Sequence, residues 1–147
     1  VLILGSLPGE RSLADGRYYA HPQNRFWQLV GSVIARDLAG MDYPDRLQAL
    51  TASGIGLWDV IASARRSGSL DSAIRDEQHN ALVDLVGTLP RLQAVAFNGR
   101  KAESIGAPQL SDNGLTLLAL PSSSPAYAAL PYAAKQRQWA KLCEFLG

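Results

Sequence analysis

Behind the apolar stretch VLIL, the chain from Gly5 to Trp27 reads GSLPGERSLADGRYYAHPQNRFW, which packs turn-formers, aromatic rings and polar side chains into one short run. Gly5 and Gly9 allow a sharp turn and close backbone approach to a ligand, while Pro8 stiffens the turn and removes one donor. The same residues would also serve as a plain strand-to-helix connection. The run lacks the Lys-Ser/Thr ending of a nucleotide P-loop and the spacing of a dinucleotide fingerprint, so ATP or NAD binding does not fit it. No ligand cluster accompanies His21 or His79, so neither a metal nor another cofactor is expected. The single cysteine, Cys143, excludes an internal disulfide framework and cannot by itself hold zinc or an iron–sulfur cluster. Its simplest place is the core.

The net charge is only +1, so binding to a polyanion would have to come from local clustering of cations. The candidates are Arg11, Arg17 and Arg25 around the first loop, the pair Arg65 and Arg66, and Arg100 with Lys101 after Asn98-Gly99. Each group alone is more often a solvated surface than a phosphate contact.

These residues need elements to position them. VLIL is uninterrupted and apolar, as a parallel strand buried on both faces requires. Similar runs recur as GLWDVI at 56–61, QAVAF at 93–97 and LTLLAL at 115–120. Phe26, Leu29, Val30, Val33, Ile34 and Leu38 recur at steps of three and four, which predicts an amphipathic helix. Pro44 opens a second, carrying Leu47 and Leu50. Leu82, Leu85, Val86 and Leu89 form a third stripe ended by Pro90. Tyr132, Trp139, Leu142, Cys143 and Leu146 mark a last helix from near Pro131, and His79 reads as a helix start. Alternating strands and helices predict a three-layer α/β/α sandwich around a central four-stranded parallel sheet. In such sheets ligands bind outside the carboxyl ends of the strands.

With 147 residues, 47% of them hydrophobic, the chain is expected to form one domain over 1–147. No window is long and apolar enough for a membrane span, and no signal peptide is recognisable, so a monomeric cytoplasmic protein that engages no membrane is expected. The start at Val1 rather than Met leads us to expect residues upstream.

Four strand-end segments carry a family resemblance. GSLPG followed by YYAHPQNRFW resembles the first motif and following segment of the uracil-DNA glycosylase superfamily, where mismatch-specific uracil/thymine enzymes have a similar His-Pro-X-Asn-Arg-Phe-Trp segment. With GLWDVI at 56–61, FNGRKA at 97–102 and PSSSPAYA at 121–128, the chain is most similar to the hypoxanthine-DNA (deoxyinosine) glycosylase branch. The resemblance covers nearly the whole chain in the right order. It implies a uracil-DNA glycosylase-like fold, DNA containing a deaminated base as partner, and no cofactor.

Departures from the uracil enzymes redirect the site. Leu7 stands where uracil-removing relatives keep an Asp or Asn to orient the attacking water, and leucine cannot hydrogen-bond water. PSSSP also lacks the His or Asn of the related motifs. The resemblance implies that Asn24 takes over the catalytic role. Cleavage of an N-glycosidic bond passes through an oxocarbenium-like sugar, so positioning and charge stabilisation matter more than a strong base. Asn24 is equally suited to capping the helix that follows it.

Base recognition needs a flipped nucleotide, a stacking ring and groups matched to its Watson–Crick edge. Tyr19, with Tyr18 as alternative, aligns with the stacking aromatic, although either ring would also serve as core or rim. Asp59 lies where uracil enzymes place a pyrimidine-reading Asn. A carboxylate only accepts hydrogen bonds, and hypoxanthine has an N1–H that adenine lacks. Asp59 also fits a cap or turn after a strand. Ser6 and the backbone amides near Leu7 remain for the base's acceptors, and His21 for a contact to substrate or for a structural hydrogen bond.

PSSSPAYA resembles the segment that grips the DNA backbone. Ser122, Ser123 and Ser124 suit phosphates and Tyr127 suits an inserted wedge, while the same residues fit a Ser/Pro turn. Lys101, Lys135 and Lys141 fall on predicted helices away from these loops, so a Schiff-base lyase step has no nucleophile and a monofunctional glycosylase is expected. The alternatives are a mismatch-specific uracil, thymine or xanthine glycosylase, a non-catalytic damaged-DNA-binding module, and a small-nucleotide hydrolase or binder using the Gly5 loop.

Overall fold

The computed structural model describes residues 1–65 and 74–146. Its central sheet runs in the order β2 (Gly56–Asp59), β1 (Leu2–Gly5), β5 (Ala94–Asn98), β6 (Thr116–Leu120), with every pairing parallel. These are the four expected strands, and β1 and β5 are buried along their whole length as their apolar runs require.

The period of two along each strand sorts side chains into two cores. Ile3 and Ala96 point into one with Phe26, Trp27, Leu29, Val30, Trp139 and Leu142. Leu2, Leu4, Val95 and Phe97 point into the other with Leu82, Ala102 and Leu110. The first layer holds α2 (Phe26–Ile34), α3 (Tyr43–Ala52) and α6 (Tyr132–Trp139); the second holds α4 (Leu82–Gly87) and α5 (Arg100–Leu110). The expected three-layer sandwich is therefore present. Close helix–sheet packing relies on Gly106 of α5, where an added Cβ would lie 2.4 Å from Phe97 Cε1. Phe97 is 1% exposed and cannot swing away. Gly106→Ala is expected to destabilise the fold by about 1–3 kcal/mol, as overpacked cores do, read as a lower urea midpoint.

Several local expectations are corrected. GLWDVI is not one strand: the sheet strand stops at Asp59, and Ile61–Arg65 forms β3, which pairs antiparallel with β4 (Arg75–His79). His79 consequently ends a strand rather than opening a helix. The polar composition of RDEQH carries no buried-strand signal, because this hairpin lies outside the main sheet. A short helix, α1 (Glu10–Asp15), was not expected within the first loop. α2 ends at Ile34 because Ala35 takes a left-handed conformation, so Leu38 reaches the core from a separate 3₁₀ turn. α4 stops at Gly87, short of Pro90. Cys143 lies on a 3₁₀ segment, Ala140–Phe145, and is exposed rather than core, with its Sγ donating to the Val33 carbonyl at 3.5 Å. The 3₁₀ geometry moves it off the face that Trp139 and Leu142 bury. Arg66 lies outside the described residues, as does the Arg65 side chain. Among the described residues no helix is long and apolar enough to cross a membrane.

Candidate active site

The carboxyl ends of the four parallel strands open onto a cleft of about 670 Å³. It is lined by the Gly5–Ser12 segment, Tyr18, Tyr19, His21, Asn24, Asp59, Asn98 and the loop from Ser122 to Tyr127. Ser6, Leu7, Tyr18, Tyr19, His21, Asn24, Asp59, Ser122–Ser124 and Tyr127 thus lie on one concavity, whereas of the candidate cations among the described residues only Arg11 lines it. Their positions in the chain are far apart. Parallel strand ends are what bring them together.

At the floor, Gly5 sits opposite Asp59 in the β1–β2 register. An added Cβ at Gly5 would meet Asp59 Oδ1 at 2.8 Å and Tyr19 Oη at 3.1 Å, so both polar groups converge over a glycine that leaves them room. Gly5→Ala should displace both while β1 remains paired. The expected outcome is at least a tenfold loss of turnover with little change in melting temperature; unaltered turnover would remove Asp59 and Tyr19 from the site.

β1 and the segment after Asp59 remain linked, with Val60 N–H donating to Gly5 O and Ile61 N–H to Ser6 O. The Asp59 carbonyl accepts from Asn80 Nδ2 at 2.7 Å, which fixes the strand end that carries the carboxylate. Ser6 is buried, and the Leu7 side chain packs against the second core. Leu7 is therefore filler, with nothing to offer a water molecule.

Tyr19 has φ 53°, an uncommon left-handed conformation for a residue other than glycine. Its ring stacks on Phe26 at 3.8 Å, and Phe26 meets Trp139 edge-on at 5.8 Å. One face of Tyr19 is thereby taken, so a base would use the other. Beside it, burial first, then the Asp59 carboxylate and the Tyr43 hydroxyl, push the Tyr18 phenol up to about 12. Tyr18 stays neutral at any working pH.

Asn24 lies at the entrance to α2. Its Oδ1 accepts from Phe26 N–H at 2.9 Å, satisfying one of the orphan donors of the helix start. Its backbone N–H donates to His21 O, and His21 Nδ1 accepts from Gln23 N–H, so the histidine's structural role is visible. Arg25 holds the N-cap position itself, so Asn24 supports the helix start from one residue before it, and that bond does not exhaust its amide. The amide oxygen keeps a second lone pair, and the bond holds the group in a single orientation at the cleft wall.

Asn98, at the end of β5, was missed in the sequence. Its Oδ1 accepts from Ser123 N–H at 2.9 Å, and its Nδ2 reaches Ser123 Oγ at 2.9 Å and Tyr19 Oη at 3.3 Å. One buried amide thus ties the serine loop to Tyr19. The available signal was its place as the first polar residue after AVAF at a central strand end. Gly99, with φ 96°, brings the backbone close to Ser122, where a Cβ would lie 3.2 Å from the serine's own.

The three serines differ. Ser123 is 1% exposed and committed to Asn98, so it frames the loop from inside. Ser122 Oγ accepts from Ser124 N–H, and Ser124 Oγ accepts from Ala126 N–H. Each of these two hydroxyls keeps its own proton to donate. Tyr127 is 43% exposed at the rim. Lys135 corrects the expectation that the lysines lie away from the strand-end loops: it is buried, and its Nζ donates to the Ser124 carbonyl at 3.4 Å. Its spacing, three after Tyr132 and four before Trp139, puts it on the inward face of α6. Among the described residues no cluster of His, Cys, Asp or Glu could hold a metal.

The model of the uracil DNA glycosylase superfamily matches residues 1–144. The chain belongs to the uracil DNA glycosylase superfamily. Within that superfamily, it is 47% identical over 102 residues to a protein of Methanosarcina barkeri named hypoxanthine DNA glycosylase, a match covering 69% of this chain and 65% of the relative. A protein of the same name from Methanosarcina acetivorans is 44% identical over 126 residues, covering 86% of this chain and 79% of that one. A solution NMR structure from M. acetivorans, provisionally described as a uracil DNA glycosylase, superposes with a TM-score of 0.88 at 40% identity. It covers 99% of this chain and 89% of the solved one, so the superfamily fold extends across both cores.

Proposed function

We propose that this chain is a monofunctional DNA glycosylase that hydrolyses the bond between hypoxanthine and deoxyribose, leaving an abasic site for excision repair. The single observation that carries the reading is the composition of the cleft wall, where Asn24 is held by Phe26 N–H while position 7 carries Leu7, packed against the second core. A uracil-type water site at position 7 is thereby unavailable, and of the two amides lining the cleft, Asn98 is committed to Ser123 and Tyr19, which leaves Asn24. The names of the two Methanosarcina relatives support the same substrate.

In the proposed reaction the base turns out of the duplex and stacks on the free face of Tyr19. Asp59 accepts N1–H of hypoxanthine, a donor that adenine lacks. As the glycosidic bond stretches, positive charge develops on the sugar. The Asn24 oxygen holds water against the anomeric carbon, and its dipole stabilises that charge. Ser122 and Ser124 donate to backbone phosphates, Ser123 keeps the loop in shape, and Tyr127 fills the space the base vacates. No residue in this scheme forms a covalent bond to the sugar.

The test is a product profile. The protein is incubated with matched duplexes carrying hypoxanthine, xanthine, uracil or a thymine mismatch, followed by alkaline cleavage at abasic sites. The expected result is strand cleavage with hypoxanthine exceeding the other three. Preferential release of uracil or thymine would instead assign the chain to mismatch-type excision, and binding without release would leave a damage-recognition module.

A further inference from the structure

A buried ammonium is costly unless it is paired, and the cost grows beside another cation. Lys135 is 5% exposed, with one hydrogen bond of 3.4 Å to the Ser124 carbonyl and its Nζ 5.3 Å from the centre of the Tyr127 ring. Two of its three N–H donors have no protein acceptor among the described residues. Arg25 approaches the same loop from α2. Its backbone N–H donates to the Ser123 carbonyl at 3.0 Å, and its guanidinium lies 5.4 Å from the centre of the Tyr132 ring. Burial and the Arg25 charge together hold the Lys135 ammonium below the usual lysine range. Among the described residues, neither cation has a carboxylate within salt-bridge distance.

A loop prop alone does not account for this arrangement. An apolar side chain at position 135 would fill the space under Ser124 and Tyr127 without placing two like charges together. What complements the pair is an anion, and the loop above it carries the Ser122 and Ser124 hydroxyl donors. We propose that Lys135 and Arg25 form a cationic seat for one phosphate of the DNA backbone, held jointly with the Ser122–Ser124 loop. The inference rests on the reading of that loop as the DNA-gripping segment and adds the charge that the serines lack. It would also add local positive charge at the serine loop of a chain whose net charge is only +1.

The experiment measures equilibrium binding to an undamaged duplex and to an inosine duplex with a cleavage-resistant 2′-fluoro sugar, each across a salt series. Wild type is compared with Lys135→Met, Lys135→Arg and Arg25→Gln, with melting curves to confirm folding. Neutralising one phosphate contributes a slope of about 0.9 in log K against log salt. Lys135→Met and Arg25→Gln are therefore expected to weaken binding to both duplexes by the same factor and to make the slope shallower by about 1, while Lys135→Arg keeps the slope. Arg25 is exposed, so its variant tests the seat even where Lys135→Met unfolds. Unchanged slopes in both neutral variants, with base release by wild type intact, would overturn the seat alone. The expected slope changes with no base release by wild type would keep the seat and overturn the glycosylase reading.

Discussion

Asn24→Ala is expected to reduce single-turnover release of hypoxanthine by on the order of 10²–10³-fold, the scale seen when one preorganised polar group is removed from a developing charge. The fold should survive. Losing the hydrogen bond to Phe26 N–H costs about 0.5–2 kcal/mol, the usual range for a helix cap, and a melting curve will register it. Because Asn24 both caps and faces the cleft, alanine alone mixes the two effects. Asn24→Asp separates them, since a carboxylate still accepts from Phe26 N–H and its charge favours a helix start. It should restore stability, and as a water-holding acceptor beside a cationic sugar it should retain more activity than alanine. An alanine variant that melts lower yet releases base at the wild-type rate would reduce Asn24 to a cap and move the water elsewhere in the cleft.

The second large effect is on base choice. Asp59→Ala removes the acceptor proposed for N1–H, and a hydrogen bond to a charged group is worth about 1.5–3 kcal/mol. Hypoxanthine kcat/KM should accordingly fall by roughly tenfold to 150-fold. The strand end should hold, because Asn80 binds the Asp59 backbone carbonyl rather than its carboxylate. Asp59→Asn keeps an acceptor and adds a donor, so hypoxanthine release should fall less and the margin over uracil should narrow. Equal loss on hypoxanthine and uracil duplexes in Asp59→Ala would mean that the carboxylate supports the pocket without reading the base.

Asn24 and Asp59 illustrate how far the chain alone reaches. Asn24 was legible because it sits in a contiguous motif, HPQNRFW, and Asp59 because it ends an apolar strand. Asn98 ends a strand in the same way but was passed over: its partners, Ser123 and Tyr19, are 25 and 79 positions away, and no local pattern records such hydrogen bonds. Lys135 was placed on a helix away from the strand-end loops, whereas the helix turns it inward beneath Ser124. The β3–β4 hairpin was illegible for the opposite reason. It is a separate two-stranded sheet, and RDEQH offers no apolar run to mark its second strand.

By itself, the sequence determined the four strands of the parallel sheet and most of the helices between them, most clearly for β1 and β5, since burial on both faces imposes runs of apolar residues that local composition reveals. It also determined the superfamily, through motifs at the strand ends. Tertiary structure alone decided which polar groups share a partner: Asn24 as cap and cleft wall together, Asn98 as the tie between loop and ring, Ser123 as frame, and Lys135 beneath the serine loop. Those assignments depend on distances between groups remote in the chain, which are set only when the two cores close on either face of the sheet.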